Sequence, residues 1–214
     1  MRDSQVELHV DSVTLHGNLA VPQGAKGLVV FAHGSGSSRL SPRNRAVAGV
    51  IRHASIGTLL FDLLTADEEA TDAITAELRF NIPFLARRLH AVAEWARAQP
   101  STLGLPIGYF GASTGAAAAL AAAAEYPDGI AAIVSRGGRP DLAGDALPRV
   151  RAPTLLIVGG NDTPVIHMNQ QAFERLNCEK QLTIVPGAGH LFEEPGTLDQ
   201  VARYATDWFE RHFS

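Results

Sequence analysis

The sequence has little of what several protein classes require. Its single cysteine, Cys178, excludes an internal disulfide and fits a reducing compartment. The net charge of −4 argues against a nucleic-acid partner or an anionic membrane surface. No apolar run approaches the roughly 20 residues that span a bilayer, and residues 1–5 lack the apolar core of a signal peptide. We therefore expect a soluble cytoplasmic protein that binds a small molecule; the sequence leaves open whether it forms a homodimer.

Motifs for metal and nucleotide chemistry are also missing. The chain contains no H-E-x-x-H, no C-x-x-C and no G-x-x-x-x-G-K, so we predict no metal and no cofactor. Gly34 and Gly36, with Asp62 at the end of the next apolar run, partly resemble a dinucleotide fingerprint. Arg39 occupies the third glycine position, which argues against this interpretation.

Apolar β-branched runs alternate with helical patterns along the chain, which is typical of a parallel sheet covered by helices. The first two segments alternate in polarity and predict an antiparallel pair, whereas the later runs suit strands buried on both faces. The predicted strands are 6–10, 13–21, 28–32, 58–61, 107–110, 130–134, 154–158 and 182–185. We therefore expect an α/β protein with a mostly parallel eight-stranded sheet, helices on both faces and one domain over residues 1–214.

Five stretches between these strands have helical periodicity or clear start and stop signals. The predicted helices are 42–53, 83–98, 114–126, 170–176 and 198–213. Residues 62–81 are rich in Asp, Glu and Thr, and we expect either a mobile loop or a short helix at the rim of the sheet.

A serine motif follows the predicted strand 107–110. Residues 111–115 read Gly-Ala-Ser-Thr-Gly, which matches G-x-S-x-G between a strand and an alanine-rich helix. Such a turn exposes the serine Oγ, and the helix N-terminus places N–H groups beside it. Ser113 is therefore the predicted nucleophile, the alternative being a helix-capping serine in a glycine-rich turn.

An acid and a base follow two later strands. Asp162 comes directly after the strand 154–158, and His190 comes after the strand 182–185. Serine needs a base to take its proton, and the base needs a partner that fixes its tautomer and stabilises the imidazolium. The order Ser, Asp, His is the one found in α/β-hydrolase folds, so we predict a triad of Ser113, Asp162 and His190. Taken singly, Asp162 could be a turn residue and His190 a surface histidine.

The loop after strand 28–32 reads His-Gly-Ser-Gly over residues 33–36. In an acyl-transfer site this loop supplies one N–H donor to the oxyanion, so we assign the N–H groups of Ser35 and Thr114 to that role. His33 is a candidate substrate-binding residue, but a structural role, with its ring holding the loop, is favoured over a second base.

Arg136 follows the strand 130–134 and is expected at the same edge of the sheet. Its guanidinium could hold a substrate carboxylate through two parallel hydrogen bonds. The alternative, slightly favoured from sequence, is an ion pair with Glu193 or Glu194.

These motifs resemble the α/β-hydrolase superfamily and, more closely, the dienelactone hydrolase family, from about residue 26 to the C-terminus. The resemblance is carried by the serine motif, by residues 33–36, by Gly-Gly-Asn-Asp at 159–162 and by Gly-Ala-Gly-His-Leu-Phe at 187–192. It implies the sheet topology, hydrolase chemistry and the three triad positions. Dienelactone hydrolases have cysteine where this chain has Ser113, which favours a general ester-type activity over the dienelactone substrate.

Many α/β-hydrolases insert a helical cap after the strand that corresponds to 130–134. The stretch from 135 to 153 is short and rich in glycine and proline, so we expect no cap domain and an open, shallow site. Residues 62–81 are then the only candidate cover.

The sequence thus predicts a serine hydrolase of carboxylic esters with small acyl groups, acting through an acyl-enzyme without a cofactor. The alternatives are a dienelactone or other lactone hydrolase, a thioesterase on an anionic substrate, or an acyltransferase. A non-catalytic ligand-binding member of the fold is a further alternative that an intact triad makes less favourable.

Overall fold

The computed structural model describes residues 4–213 and contains one sheet of eight strands. The strands are β1 (Ser4–Val10), β2 (Val13–Ala20), β3 (Leu28–Ala32), β4 (Gly57–Phe61), β5 (Ile107–Ala112), β6 (Ile130–Arg136), β7 (Thr154–Gly159) and β8 (Lys180–Val185). All eight predicted strands are present, each with bounds within two residues of the prediction. Residues 1–3, part of the N-terminal segment considered above, and Ser214 lie outside the described residues.

The strands follow the order β1-β2-β4-β3-β5-β6-β7-β8. The pairs β1–β2 and β2–β4 are antiparallel, and the remaining five pairs are parallel. The expected opening antiparallel pair and the mostly parallel sheet are therefore confirmed. Every residue of β3, β4, β5 and β7 is buried, which explains why these strands are apolar without alternation.

Six α-helices surround the sheet in the described part of the chain. They are α1 (Pro42–His53), α2 (Ala66–Thr75), α3 (Ile82–Arg97), α4 (Thr114–Glu125), α5 (Thr163–Arg175) and α6 (Thr197–His212). Apolar side chains of α1 and α6 form one core layer with one face of the sheet. Those of α3, α4 and α5 form the second layer on the opposite face, so the sheet is covered on both sides as predicted.

Two helices differ from the sequence prediction. The helix predicted at 170–176 begins seven residues earlier, at Thr163, because Pro164 stands in its first turn, where the missing N–H costs nothing. The segment 62–81, left open between a loop and a short helix, forms α2 followed by a short 3-10 helix, Leu78–Phe80. A capping box formed by Thr65 and Glu68 begins α2.

The carboxyl ends of β3, β5, β6, β7 and β8 meet at one edge of the sheet. Between β6 and β7 the chain forms only an interrupted 3-10 helix, Pro140–Arg149, so the described residues contain no cap domain at this point. Within residues 4–213, none of the helices has the length and apolar character needed to cross a membrane.

Candidate active site

Ser113 lies on a sharp turn between the end of β5 and the start of α4. Its backbone has φ 51° and ψ −121°, a strained conformation for a residue with a side chain. The flanking glycines permit this turn through close approach: a Cβ at Gly111 would lie 2.4 Å from the Cα of Ala116. A Cβ at Gly115 would lie 2.2 Å from the carbonyl oxygen of Ala32. The sequence motif is therefore formed as a strand–turn–helix that presents Ser113 at the sheet edge.

Asp162 and His190 are brought into direct contact by the loops after β7 and β8. The distance between His190 Nδ1 and Asp162 Oδ2 is 2.6 Å. Asp162 is largely buried, whereas His190 is partly exposed. With Nδ1–H donated to the carboxylate, Nε2 keeps a lone pair that can accept a proton.

Ser113 and His190 line the same cleft, which has a volume of about 240 Å³. In the described part of the chain, Ser113 Oγ forms no hydrogen bond. In enzymes that use a serine–histidine pair, this bond often tightens only in the substrate complex. The structure therefore brings the three predicted residues to one edge, with His190 in contact with Asp162 and Ser113 in the same cleft.

The two predicted oxyanion donors differ in their hydrogen bonding. The N–H of Thr114 is at the N-terminus of α4, where N–H groups have no acceptor within the helix. The N–H of Ser35 instead donates to Thr114 Oγ1 at 3.0 Å, and Ser35 Oγ lies 3.0 Å from the same oxygen. The Ser35 donor is therefore engaged by a side chain that the sequence analysis did not consider in this role.

His33 connects the loop after β3 to the chain after β4. Its Nδ1 lies 2.9 Å from the carbonyl oxygen of Gly34, and its Nε2 accepts a hydrogen bond from the N–H of Leu63 at 3.0 Å. Burial lowers the pKa of His33 below its ordinary value, consistent with a neutral ring that donates from Nδ1. Both ring nitrogens are engaged by backbone groups, which supports the structural role over substrate binding.

Arg136 is buried at the end of β6 and lines the cleft with Ser113. The ion pair with Glu193 or Glu194 considered from sequence does not form. Glu193 pairs with Arg43, and Glu194 accepts the N–H of Gly189. The alternative that was favoured from sequence is therefore wrong, because the loop after β8 directs both carboxylates elsewhere.

A second, apolar cavity lies on the other side of the Ser35–Thr114 contact, beneath α2. Its volume is about 120 Å³, and Leu63, Leu64 and Leu85 contribute to its wall. The ion pair between Arg88 of α3 and Glu68 of α2 attaches this cover to the rest of the protein, and a second pair, Arg79 with Asp72, lies within the cover itself. The segment 62–81 thus covers this cavity.

Arg43 and Asn44, which the sequence did not point to, also line the cleft that contains Ser113. The N-terminus of α1 places them there, and its start was visible in the Ser41-Pro42 signal. No group of three or more His, Cys, Asp or Glu side chains within residues 4–213 is arranged to hold a metal ion.

Comparison with known proteins shows that the sequence is similar to a curated protein over almost its whole length. A protein of Mycobacterium tuberculosis, provisionally named a phosphoribosyl transferase, is 57% identical over 212 residues. The match covers 99% of this chain but 47% of the relative, so the chain spans about half the length of the curated protein.

Solved structures share the whole fold. The crystal structure of dienelactone hydrolase from Anabaena variabilis has a TM-score of 0.96 and 57% identity, covering 99% of this chain and 98% of that one. Est1E from Butyrivibrio proteoclasticus has a TM-score of 0.81 at 16% identity, covering 97% of this chain and 98% of that one. A serine hydrolase without a lid from Xanthomonas campestris has a TM-score of 0.77 at 20% identity, covering 98% of this chain and 94% of that one. The last two similarities show the fold alone.

The sequence model of the dienelactone hydrolase family matches residues 53–214. With the 57% identity to the Anabaena structure, this match supports a hydrolase and shows that the chain belongs to the dienelactone hydrolase family, within the α/β-hydrolase fold.

Proposed function

We propose that the protein is a serine hydrolase that cleaves carboxylic esters of small acyl groups through an acyl-enzyme. The observation that carries this proposal is the meeting of three side chains at one sheet edge. Ser113 occupies a strained turn and is partly accessible, and it shares a cleft with His190, whose Nδ1 lies 2.6 Å from Asp162 Oδ2. A nucleophile, a base and an orienting acid are the groups that acyl transfer needs.

In the proposed reaction, Ser113 Oγ attacks the ester carbonyl carbon while His190 Nε2 takes the hydroxyl proton. The tetrahedral intermediate collapses when the C–O bond to the alcohol breaks, and the imidazolium returns its proton to the leaving oxygen. A water molecule then attacks the acyl-enzyme with the same base, releasing the acid and free Ser113. Asp162 stabilises the imidazolium formed in each half-reaction.

The N–H groups of Thr114 and Ser35 are proposed to stabilise the oxyanion. Because the Ser35 N–H donates to Thr114 Oγ1, the substrate oxygen must replace or share that hydrogen bond. One donor of this kind contributes about 10²- to 10³-fold to kcat in enzymes where it has been removed.

Small substrates are favoured by the size of the two cavities. The catalytic cleft of about 240 Å³ and the cavity of about 120 Å³ beneath α2 are at or below the roughly 300 Å³ at which ligand pockets begin. Short acyl groups, lactones and small thioesters therefore fit this site better than long lipid chains.

The name of the M. tuberculosis relative indicates a different chemistry. This chain corresponds to less than half of that protein, and its site offers a nucleophile and a base suited to acyl transfer. The site therefore favours acyl transfer over phosphoribosyl transfer. Transfer of the acyl group to an alcohol or amine instead of water uses the same residues, and added methanol or glycine amide distinguishes it through the products formed.

The decisive experiment is hydrolysis of p-nitrophenyl esters from acetate to decanoate by wild type and Ser113→Ala. We expect turnover with the short esters, a decline along the series, and a loss of at least about 10³-fold in the variant. Ser37→Ala is the matched control, because Ser37 lines the same cleft without a proposed role. A Ser113→Ala protein that keeps a tenth of the turnover, or a folded wild type without any, contradicts the proposal.

A further inference from the structure

We propose that the side-chain hydroxyl of Ser35 is a further catalytic group, which donates a hydrogen bond to the oxyanion, and that the hydroxyl of Thr114 is the positioning group that orients it. The inference rests on the proposed hydrolase function, because it adds a residue to that reaction. The role belongs to the side chain of Ser35 and is separate from that of its N–H, which any residue except proline would supply at this position.

The first observation is the close contact between the loop after β3 and the nucleophile. A Cβ at Gly34 would lie 2.9 Å from Ser113 Cβ and 3.7 Å from Ser113 Oγ, so the main chain of the loop passes directly beside Ser113. Ser35 is the next residue of this loop. It is exposed, and it lines the cleft that also contains Ser113 and His190. The Ser35 side chain therefore lies on the cleft that receives the substrate carbonyl.

The second observation is a pair of hydrogen bonds between Ser35 and Thr114. The N–H of Ser35 donates to Thr114 Oγ1 at 3.0 Å, and Ser35 Oγ lies 3.0 Å from the same oxygen. Thr114 Oγ1 has no other hydrogen-bond partner among residues 4–213. Only one of the two hydroxyl protons can lie between the two oxygens, so the other must find an acceptor elsewhere.

Burial decides which of the two hydroxyl protons lies in the contact. Thr114 is 4% exposed and lines the apolar cavity beneath α2, together with Leu63 and Leu85. A Thr114 proton directed away from Ser35 would have no acceptor there, and an unsatisfied buried donor is costly. Ser35 is exposed, so its proton has no such penalty. The arrangement of lower free energy therefore has Thr114 Oγ1–H donating to Ser35 Oγ, which leaves the Ser35 hydroxyl proton available to the cleft.

These bonds form a short chain that begins and ends at Ser35. The Ser35 N–H donates to the Thr114 hydroxyl, which donates to the Ser35 hydroxyl. A hydroxyl that accepts a hydrogen bond is polarised and becomes a stronger donor. The chain thus compensates for the engagement of the Ser35 N–H, because it directs a polarised O–H donor from the same residue to the cleft.

In the reaction, the hydroxyl of Ser35 acts without transferring its proton. When Ser113 Oγ attacks, the π electron pair of the carbonyl moves onto its oxygen, and the hydrogen bond from Ser35 strengthens as this charge develops. When the carbonyl re-forms and the alcohol leaves, the hydrogen bond weakens again. Because the interaction is stronger in the transition state than with the neutral ester, it raises kcat rather than lowering KM.

The kinetic test is Ser35→Ala, which removes the hydroxyl and keeps the N–H. We expect kcat for p-nitrophenyl acetate to fall about 10- to 100-fold with little change in KM, and Ser35→Thr to keep most of the activity. Ser37→Ala is the matched control, because Ser37 is in the same loop and lines the same cleft without a proposed role. A kcat for Ser35→Ala equal to that of wild type, or a loss that Ser35→Thr shares, overturns the proposal.

The positioning role of Thr114 is tested by Thr114→Val, which removes the hydroxyl at nearly constant volume and keeps the N–H. We expect kcat to fall about 2- to 10-fold in wild type and not at all in Ser35→Ala, because the effect passes through the Ser35 hydroxyl. A hydroxyl does not titrate in this range, so the midpoints of the pH–rate profile should stay unchanged. Independent losses in the double variant, or a shifted midpoint, contradict this role.

A binding test separates this proposal from the hydrolase function. The probe 1,1,1-trifluoropentan-2-one forms a hemiketal oxyanion when a serine Oγ attacks its carbonyl, and ¹⁹F NMR detects the adduct without any ester turnover. We expect an adduct that Ser113→Ala abolishes and Ser35→Ala weakens at least about 10-fold, whereas Ser37→Ala leaves it unchanged. Equal affinity in wild type and Ser35→Ala overturns the role of the Ser35 hydroxyl alone. A folded wild type that forms no adduct and hydrolyses no ester overturns the hydrolase function as well.

Discussion

Gly115 offers a sharp test of how closely α4 must approach β3 for Ser113 to be positioned. In Gly115→Ala the new Cβ would lie 2.2 Å from the carbonyl oxygen of Ala32 and 2.5 Å from that of His33. Ordinary contact begins at 3.4 Å, so the helix start and the end of β3 must separate by about 1 Å. Both obstacles are backbone atoms, which cannot rotate away as a side chain can.

This displacement should lower both the stability of the protein and its kcat. Overpacking of this kind destabilises a protein by about 1–3 kcal/mol, offset in part by the gain of about 0.5–1 kcal/mol from replacing glycine in a helix. The effect on kcat should be larger than the effect on the free energy of unfolding. A shift of about 1 Å at a reacting group can lower the rate on the order of 10²-fold. We therefore expect a folded protein with a modestly lower free energy of unfolding and about a hundredfold lower kcat.

Urea unfolding and hydrolysis of p-nitrophenyl acetate measure the two effects separately. Gly49→Ala is the matched control: Gly49 is also in a helix, α1, and the nearest atom that its Cβ would meet is Arg52 Nη2 at 3.9 Å. In Gly49→Ala the free energy of unfolding should rise by about 0.5–1 kcal/mol, and the turnover should be unchanged. A Gly115→Ala protein with the stability and turnover of wild type would refute the close-approach reasoning.

Two further predictions concern the acid of the triad and the histidine of the loop after β3. Asp162→Asn should lower kcat about 10³- to 10⁴-fold with unchanged circular dichroism, because an amide cannot stabilise the imidazolium of His190. Glu193→Gln is its control, and a larger loss in the control would assign the acid role to Glu193 instead. Burial lowers the pKa of His33 below 6.5, so its contribution to stability is complete above pH 6.5 and is lost as the pH falls through the lower folded-state pKa. The free energy of unfolding should therefore fall more steeply in wild type than in His33→Gln as the pH is lowered below about 6.5, and equal falls would contradict this account.

Local sequence patterns were sufficient to predict the order of strands and helices along the chain. The buried strands are continuous apolar runs, because both faces of a parallel sheet are covered, and such runs are visible without knowledge of their neighbours. The same holds for Ser113, since G-x-S-x-G depends on residues adjacent in sequence. Two helix starts were missed although their signals were present: the Thr65–Glu68 capping box of α2 and Pro164 at the start of α5.

The contacts that side chains make with distant segments could not be predicted from local sequence patterns. The hydrogen bond from the Ser35 N–H to Thr114 Oγ1 joins residues 79 positions apart, and only the packing of α4 against the end of β3 brings them together. The pairing of Glu193 with Arg43 instead of Arg136 depends on how the loop after β8 meets the start of α1.

The sequence by itself therefore determined the fold class, the chain order of Ser113, Asp162 and His190, and their places at strand ends, because periodicity and short motifs are local. Only the tertiary structure decided which charges are neutralised and which donors are free, because those depend on distances of a few ångströms between segments far apart in the chain. The placement of Arg136 and Arg43 in the wall of the cleft that contains Ser113 is one example, since it depends on how β6 and α1 pack together.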